Sequence, residues 1–290
     1  MFKLLANIFG YVLNFIYGLV NNYGIAIIIF TILLRLILLP MNVKQQKNMK
    51  KSARIQEKMK ELQDKYSNDS VRLSQEVQNL YKEEKMSPFS GCLSSILQLI
   101  IIISMFMLVA NPLTYMKHLP EEQIDGYEEQ LEQMGVSTTN YIEIAIIKNL
   151  SDTEEDVNIN MNFLGLDLSD IPSQNYSNFK VFIIPILYVM TSIISMKLSS
   201  QTISKKDKKD KTDEIKATKE EEKLVKVDDK NDELEAMEAM NKNMKYMMPI
   251  MATMVALIAP LGLALYWFVS NVVMILERII ASKLVKEKEE

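Results

Sequence analysis

Residues 23–41 read Tyr-Gly-Ile-Ala-Ile-Ile-Ile-Phe-Thr-Ile-Leu-Leu-Arg-Leu-Ile-Leu-Leu-Pro-Met, an apolar run broken by one charge, Arg35. At about 1.5 Å per residue such a helix nearly crosses a hydrocarbon core of about 30 Å, so the segment predicts a membrane span. A guanidinium keeps its proton there. It needs a partner, water or a route to the headgroups, and near mid-span its placement costs from about 3 to more than 10 kcal/mol. Two readings stand: the charge serves a function inside the membrane, or, with Pro40 close behind it, Arg35 snorkels to the nearer interface.

The mean hydropathy of +0.02 averages two unlike kinds of sequence. Apolar runs alternate with stretches of Lys, Glu, Asp, Gln and Asn, so the chain is read segment by segment. Eight Gly and 20 Met fit helical spans with adaptable apolar surfaces better than a turn-rich β protein. The expected fold is an all-α polytopic membrane protein with five transmembrane helices, a cytoplasmic helical hairpin and an N-terminal interfacial helix. The spans fall at 23–41, 90–110, 179–198, 246–259 and 261–281. The last two come from one apolar block that Ala259-Pro260-Leu261-Gly262 divides, because a single helix of that length would far exceed the bilayer.

Residues 1–21 place Phe2, Leu5, Ile8, Phe9, Val12, Leu13 and Ile16 at helical spacing, interrupted by Lys3, Asn7, Asn14 and Tyr17. This predicts an amphipathic helix lying at an interface. A cleaved signal peptide is the alternative, weakened by those asparagines and by the lack of a small-x-small site; a lipoprotein signal is not expected, because no Cys occurs near this end.

Charge sets the expected orientation. Met41–Pro88 holds eleven Lys/Arg and seven Asp/Glu, whereas Asn111–Asn178 holds two Lys and thirteen acidic residues. The positive-inside rule then puts 43–87 in the cytoplasm and 111–178 outside, with the N-terminus outside and the tail, 282–290, in the cytoplasm. In 43–87, Ile55, Met59, Leu62 and Tyr66 form one apolar stripe, and Leu73, Val77, Leu80 and Tyr81 another, the pattern of a helical hairpin with basic outer faces. Residues 199–245 form a charged cytoplasmic loop, either a solvated helix or a disordered polyampholyte. The external loop shows no readable pattern apart from Phe163-Leu-Gly-Leu166.

Enzymatic chemistry is not expected. There is no G-x-x-x-x-G-K-[ST], no nucleophile elbow, no HExxH and no Gly-rich dinucleotide turn. A lone Cys92 excludes an internal disulfide and a Cys-based metal cluster. The one histidine, His118, lacks metal-ligand spacing and reads as an ordinary surface residue. Asp and Glu are missing from the first four spans; Glu277, near the inner end of the fifth, pairs with Arg278 or snorkels. No catalytic residue, cofactor or metal is expected, and no specific nucleic-acid partner.

Three segments in order resemble the YidC/Oxa1/Alb3 membrane protein insertases. They are Asn22–Asn42 with the Lys/Gln-rich hairpin after it; Tyr81-Lys-Glu-Glu-Lys-Met-Ser-Pro-Phe-Ser-Gly-Cys-Leu93 with Gln98 beyond; and Pro260-Leu-Gly-Leu-Ala-Leu-Tyr-Trp-Phe-Val-Ser-Asn271. Phe163-Leu-Gly-Leu-Asp-Leu-Ser169 is a weaker fourth.

The resemblance implies a five-span core that helps nascent membrane proteins insert, fold and assemble, alone or beside the Sec translocon, in a bacterial cell membrane. It implies a hydrated, positively charged groove open to the cytoplasm and lipid. The groove arginine matches Arg35, and Gln98, Ser195 and Trp267 correspond to its other lining positions. Nascent chains, the Sec translocon, the ribosome and membrane lipids are the implied partners. Ser94 replaces a common proline, Ser195 a frequent glutamine, and Glu277 a frequent glutamine at the end of the last span. The tail is short and mixed in charge, unlike a long basic ribosome-binding tail. The competing class is a small anion transporter or channel with Arg35 as the binding site.

Overall fold

The computed structural model describes residues 1–66, 69–84, 90–136, 141–204, 251 and 253–286. These are mostly helical and divide into two compact units, Met1–Ser169 with Leu276–Glu290, and Asp170–Ile275. The expected hairpin turn at 67–68, residues 85–89, most of the charged loop (205–245), residues 246–250 and 252 of the expected fourth span, and 287–290 lie outside the described residues.

In the first unit, helix α1 (Phe2–Val20) stops at Asn21, whose φ of 47° suits asparagine better than most side chains. Asn22 then caps α2: its side-chain oxygen accepts from the Ile25 N–H at 3.0 Å. Helix α2 runs from Tyr23 to Lys65, 43 residues, or about 64 Å. The sequence predicts a boundary between a span ending at 41 and a hairpin beginning at 43. The helix runs through that point without a break, because Pro40 removes only one ladder bond, to the Leu36 carbonyl, and the Met, Lys, Gln and Glu that follow favour helix.

Helix α3 (Ser70–Glu83), capped by Asp69, packs back on α2. Ile55 and Leu80 are buried between them, Met59, Leu62, Leu73, Val77 and Tyr81 are half-buried, and Lys58 donates to Glu84 at 2.7 Å. Lys44, Lys51, Lys58, Lys65, Arg72 and Lys82 all point to solvent.

Helix α4 (Ser90–Ala110) buries Ile101, Ser104, Met105 and Leu108 on one face and packs against α1 and α2. Leu99, Ile102 and Phe106 stay exposed on another, as a lipid-facing surface would.

The stretch after α4, unread in the sequence, is a folded layer. A π-helical turn at Leu113–Lys117 leads to α5 (Glu121–Gln133), α6 (Ile142–Leu150) and a minimal hairpin, β1 (Asn162–Phe163) with β2 (Leu166–Asp167). Leu113, Met116, Leu131, Ile146, Ile147, Val157 and Leu168 form its core. The layer grips the α1–α2 junction. The Asn160 N–H donates to the Tyr17 hydroxyl at 2.8 Å, its amide donates to the Asn21 carbonyl at 2.9 Å, and its carbonyl accepts from the Tyr23 N–H at 3.0 Å. Asn22 completes the grip by donating to the Asn162 carbonyl at 2.7 Å.

His118 departs from the expectation of an ordinary surface residue. It closes the π turn in the left-handed region, φ 55°, and stacks on Tyr11 of α1 at 4.0 Å. Desolvation there lowers its pKa below the usual imidazole value.

In the second unit a short 3-10 turn, Phe179–Phe182, feeds helix α7 (Ile183–Ser204). Residues 253–258 are helical, the chain breaks at Ala259–Pro260, and α8 follows over Leu261–Lys286, its C-terminal part from Leu276 belonging to the first unit. The Leu261 N–H donates to the Asp170 carbonyl at 2.9 Å.

Among the described residues, four helical stretches are long and apolar enough to cross a membrane: Phe2–Val20, Tyr23–Gln45, Phe179–Leu198 and Leu261–Ile280, with Ile96–Ala110 a shorter apolar helix. For the first of these the sequence predicts an interfacial helix, not a span. Leu4, Ile8, Tyr11, Phe15 and Leu19 line its exposed side, so α1 is apolar on both faces.

Candidate functional site

Arg35 lies two turns before Asn42 on α2, a spacing that puts both side chains on one face about 10.5 Å apart along the axis. Both reach Glu277 of α8. The Asn42 amide donates to Glu277 Oε2 at 3.2 Å, and Arg35 Nη1 stands 4.0 Å from the same oxygen. The Arg35 side chain is 14% exposed and that of Glu277 9%. At 4.0 Å the pair is a charge contact without hydrogen-bond geometry, looser than a bidentate fork.

This corrects the expectation for Glu277. Instead of pairing only with its neighbour or snorkelling, it is buried and faces Arg35 and Asn42. The signal was present: Glu277 is the one acid in the predicted spans, and a buried charge needs a partner. Asn42 carried no such signal, since an asparagine just past a proline reads as a helix-end residue.

The four expected groove residues fall two and two. In the first unit, Gln98 is half-buried and sits one turn before Ile101, on the stripe that continues through Met105 and Leu108. In the second unit, Ser195 is buried on α7, and Trp267 is half-buried on α8. The Trp267 ring lies 5.5 Å from that of Tyr188, tilted by 35°. Tyr188 stands seven residues before Ser195, so it belongs to the same face of α7, and Thr191 between them returns its hydroxyl to the Leu187 and Tyr188 carbonyls. Tyr188 escaped the sequence reading; its i, i+7 relation to Ser195 could have found it.

The Arg35, Asn42 and Glu277 cluster of the first unit can bind and orient polar groups. Among the described residues no group of three or more His, Cys, Asp or Glu could hold a metal ion.

Comparison with known proteins gives a consistent result. The model of the 60Kd inner membrane protein family matches residues 15–289. Among curated relatives, the membrane protein insertase YidC of Syntrophus aciditrophicus is 47% identical over 94 residues, 32% of this chain and 17% of that protein. The protein of the same name from Caldanaerobacter subterraneus subsp. tengcongensis is 44% identical over 100 residues, 34% of this chain and 48% of its own length. That of Francisella tularensis subsp. novicida is 40% identical over 106 residues, 37% of this chain and 19% of its own. The matched stretch thus spans less than half of each relative. The family match is nearly chain-long, and with it the chain belongs to the 60Kd inner membrane protein family, that of YidC, Oxa1 and Alb3.

Proposed function

We propose that this polytopic membrane protein is a membrane protein insertase, in which Arg35 receives the polar segment that an incoming chain must carry across the bilayer. The observation that carries this reading is a permanent cation held at 14% exposure inside an otherwise apolar span. A short acidic segment entering the membrane loses its hydration, and a fixed cation on its path offsets part of that loss. By the family resemblance, Gln98 in the first unit, and Ser195 and Trp267 in the second, are further polar or amphipathic contacts for the passing chain. Apolar substrate residues leave sideways, driven by transfer into lipid. The relatives' shared name supports the reading, and the anion-transporter alternative finds no support among them.

The protein lies in a bacterial cell membrane with the basic α2–α3 hairpin in the cytoplasm, the layer over 111–178 outside, the N-terminus outside and the tail inside. Charge bias supports this sidedness. Helix α1 then lies along the outer interface. From Gly10, which abuts the Tyr115 carbonyl, through Tyr11 on His118 to Tyr17 and Asn21 on Asn160, it touches the outer layer over about 16 Å. A helix crossing the bilayer would leave that layer within a turn or two. The exposed basic face of the hairpin suits it to meet the nascent chain at the ribosome and Sec translocon.

The test uses purified protein in liposomes and a single-span substrate with an acidic outer tail. Arg35→Ala is expected to reduce insertion about tenfold or more, the effect of losing roughly 1.4 kcal/mol of charge stabilisation. Arg35→Lys retains much of the activity if charge rather than fork geometry matters. Insertion by Arg35→Ala equal to wild type would overturn the charge mechanism.

A further inference from the structure

We propose that Glu277 is an internal competitor for the substrate's acidic segment: its carboxylate occupies Arg35 in the empty site and yields when a substrate carboxylate arrives. The proposal rests on the insertase reading and adds to it the residue that sets charge selectivity.

The geometry is that of an exchangeable pair. Glu277 Oε2 is shared between the Arg35 guanidinium at 4.0 Å and the Asn42 amide at 3.2 Å. Its other oxygen, Oε1, is buried and accepts no hydrogen bond from the described residues. A carboxylate built to lock an arginine would engage it through both oxygens at hydrogen-bond distance. Here the contact with Arg35 is long, and half of the carboxylate's acceptor capacity is unused.

Asn42 explains how the pair can open. Removing one partner from a buried ion pair is strongly destabilising, because the other charge is orphaned. Glu277 is not orphaned when Arg35 turns to a substrate, since the Asn42 amide keeps hold of Oε2. Asn42 is therefore a positioning residue. It sits on the same helix as Arg35 and anchors the anion that Arg35 releases.

The functional consequence is a threshold. A neutral segment has nothing with which to displace Glu277 from Arg35, whereas a segment bearing a carboxylate exchanges one anion for another. Glu277 also damps the preference, because every acidic substrate must compete with it.

The experiment measures, in proteoliposomes, insertion of two substrates that differ only in their outer tail, one neutral and one carrying two Asp. The readout is the ratio of acidic-tail to neutral-tail insertion. Glu277→Gln is expected to raise that ratio about fivefold, the effect of one charge removed at 4 Å in a water-like environment. Asn42→Ala removes the anchor without changing charge, so Glu277 clings to Arg35 and the ratio falls. In Arg35→Ala the ratio drops toward one, and adding Glu277→Gln produces no further change. A merely structural role would move both variants in the same direction and both substrates alike, and that result overturns the proposal. So does an unchanged ratio in Glu277→Gln while wild type still inserts; the insertase reading then stands. Wild-type vesicles that insert no better than protein-free ones defeat both. Should Glu277→Gln not yield monodisperse protein, Glu277→Ala is read the same way.

Discussion

Glu143 shows what a buried carboxylate requires in the folded layer after α4. It is 5% exposed, and its oxygens accept from the Leu113 N–H at 2.6 Å, the Thr114 N–H at 3.0 Å and the Thr114 hydroxyl at 2.6 Å. It thereby satisfies the first donors of the π turn and pins α6 to the end of α4. Desolvation raises its pKa above the ordinary carboxylate value of 4.5, and the three hydrogen bonds oppose that shift without cancelling it. The folded layer binds the proton more tightly than the unfolded chain, so this contribution is complete below about pH 4.5 and is lost as pH rises through the raised value. Amide exchange over residues 121–150 is expected to quicken across that interval. Glu143→Gln, which can still accept from both N–H groups, flattens the dependence; Glu143→Ala orphans them and costs about 1–3 kcal/mol. A pH profile identical in wild type and Glu143→Gln would refute the assignment. At this same scale Arg35 was fully legible, because a lone charge in an apolar run announces itself. Asn42 and Glu143 were not, because their roles depend on partners 235 and 30 residues away.

Helix contacts in the first unit depend on places where a side chain is missing. A Cβ on Gly10 would run into the Tyr115 carbonyl oxygen, a backbone atom in the π turn, so α1 must shift to admit one. A Cβ on Gly18 would meet nothing within 4 Å. Gly10→Ala is therefore expected to lower stability by about 1–3 kcal/mol through overpacking, while Gly18→Ala raises it by up to about 1 kcal/mol through helix propensity. Thermal unfolding of the detergent-purified protein checks both, and equal effects would contradict the packing. Gly24 belongs to the first class, since its Cβ would lie 2.6 Å from the Phe163 ring. The stripes of the α2–α3 hairpin could be read from period alone. The break at Ala259–Pro260 could also be read, because proline and glycine punctuate locally. The continuity of α2 through Pro40 could not, since one proline ends some helices and is absorbed by others. The folded layer after α4 was missed for another reason. Ile124, Tyr127 and Leu131 on α5, and Glu143, Ile146 and Leu150 on α6, do have helical spacing. They lie in short helices among many acidic residues, where composition outweighs periodicity.

For the molecule as a whole, the insertase reading demands that water reach Arg35 from one side while lipid covers the other. Helix α2 offers an internal comparison. Leu38, one turn after Arg35 on the Arg35–Asn42 face, is half-buried, whereas Ile37, on the opposite face, is 73% exposed with an apolar side chain suited to lipid. Exposure in the bare protein thus predicts the wrong answer for reactivity, and only the membrane separates the two positions. In a chain whose native Cys92 is replaced by serine, a polar maleimide added to inverted vesicles is expected to label Leu38→Cys readily. Ile37→Cys should react little, because a thiol in hydrocarbon neither ionises nor meets the reagent. Labelling of Leu38→Cys should also fall when a stalled acidic substrate fills the site, and more in Glu277→Gln, where the substrate is held more firmly. If both positions stay equally silent in intact vesicles and both react in detergent, the face bearing Arg35 is dry. Arg35 is then part of a structural ion pair with Glu277, and a route for polar segments through this site is excluded.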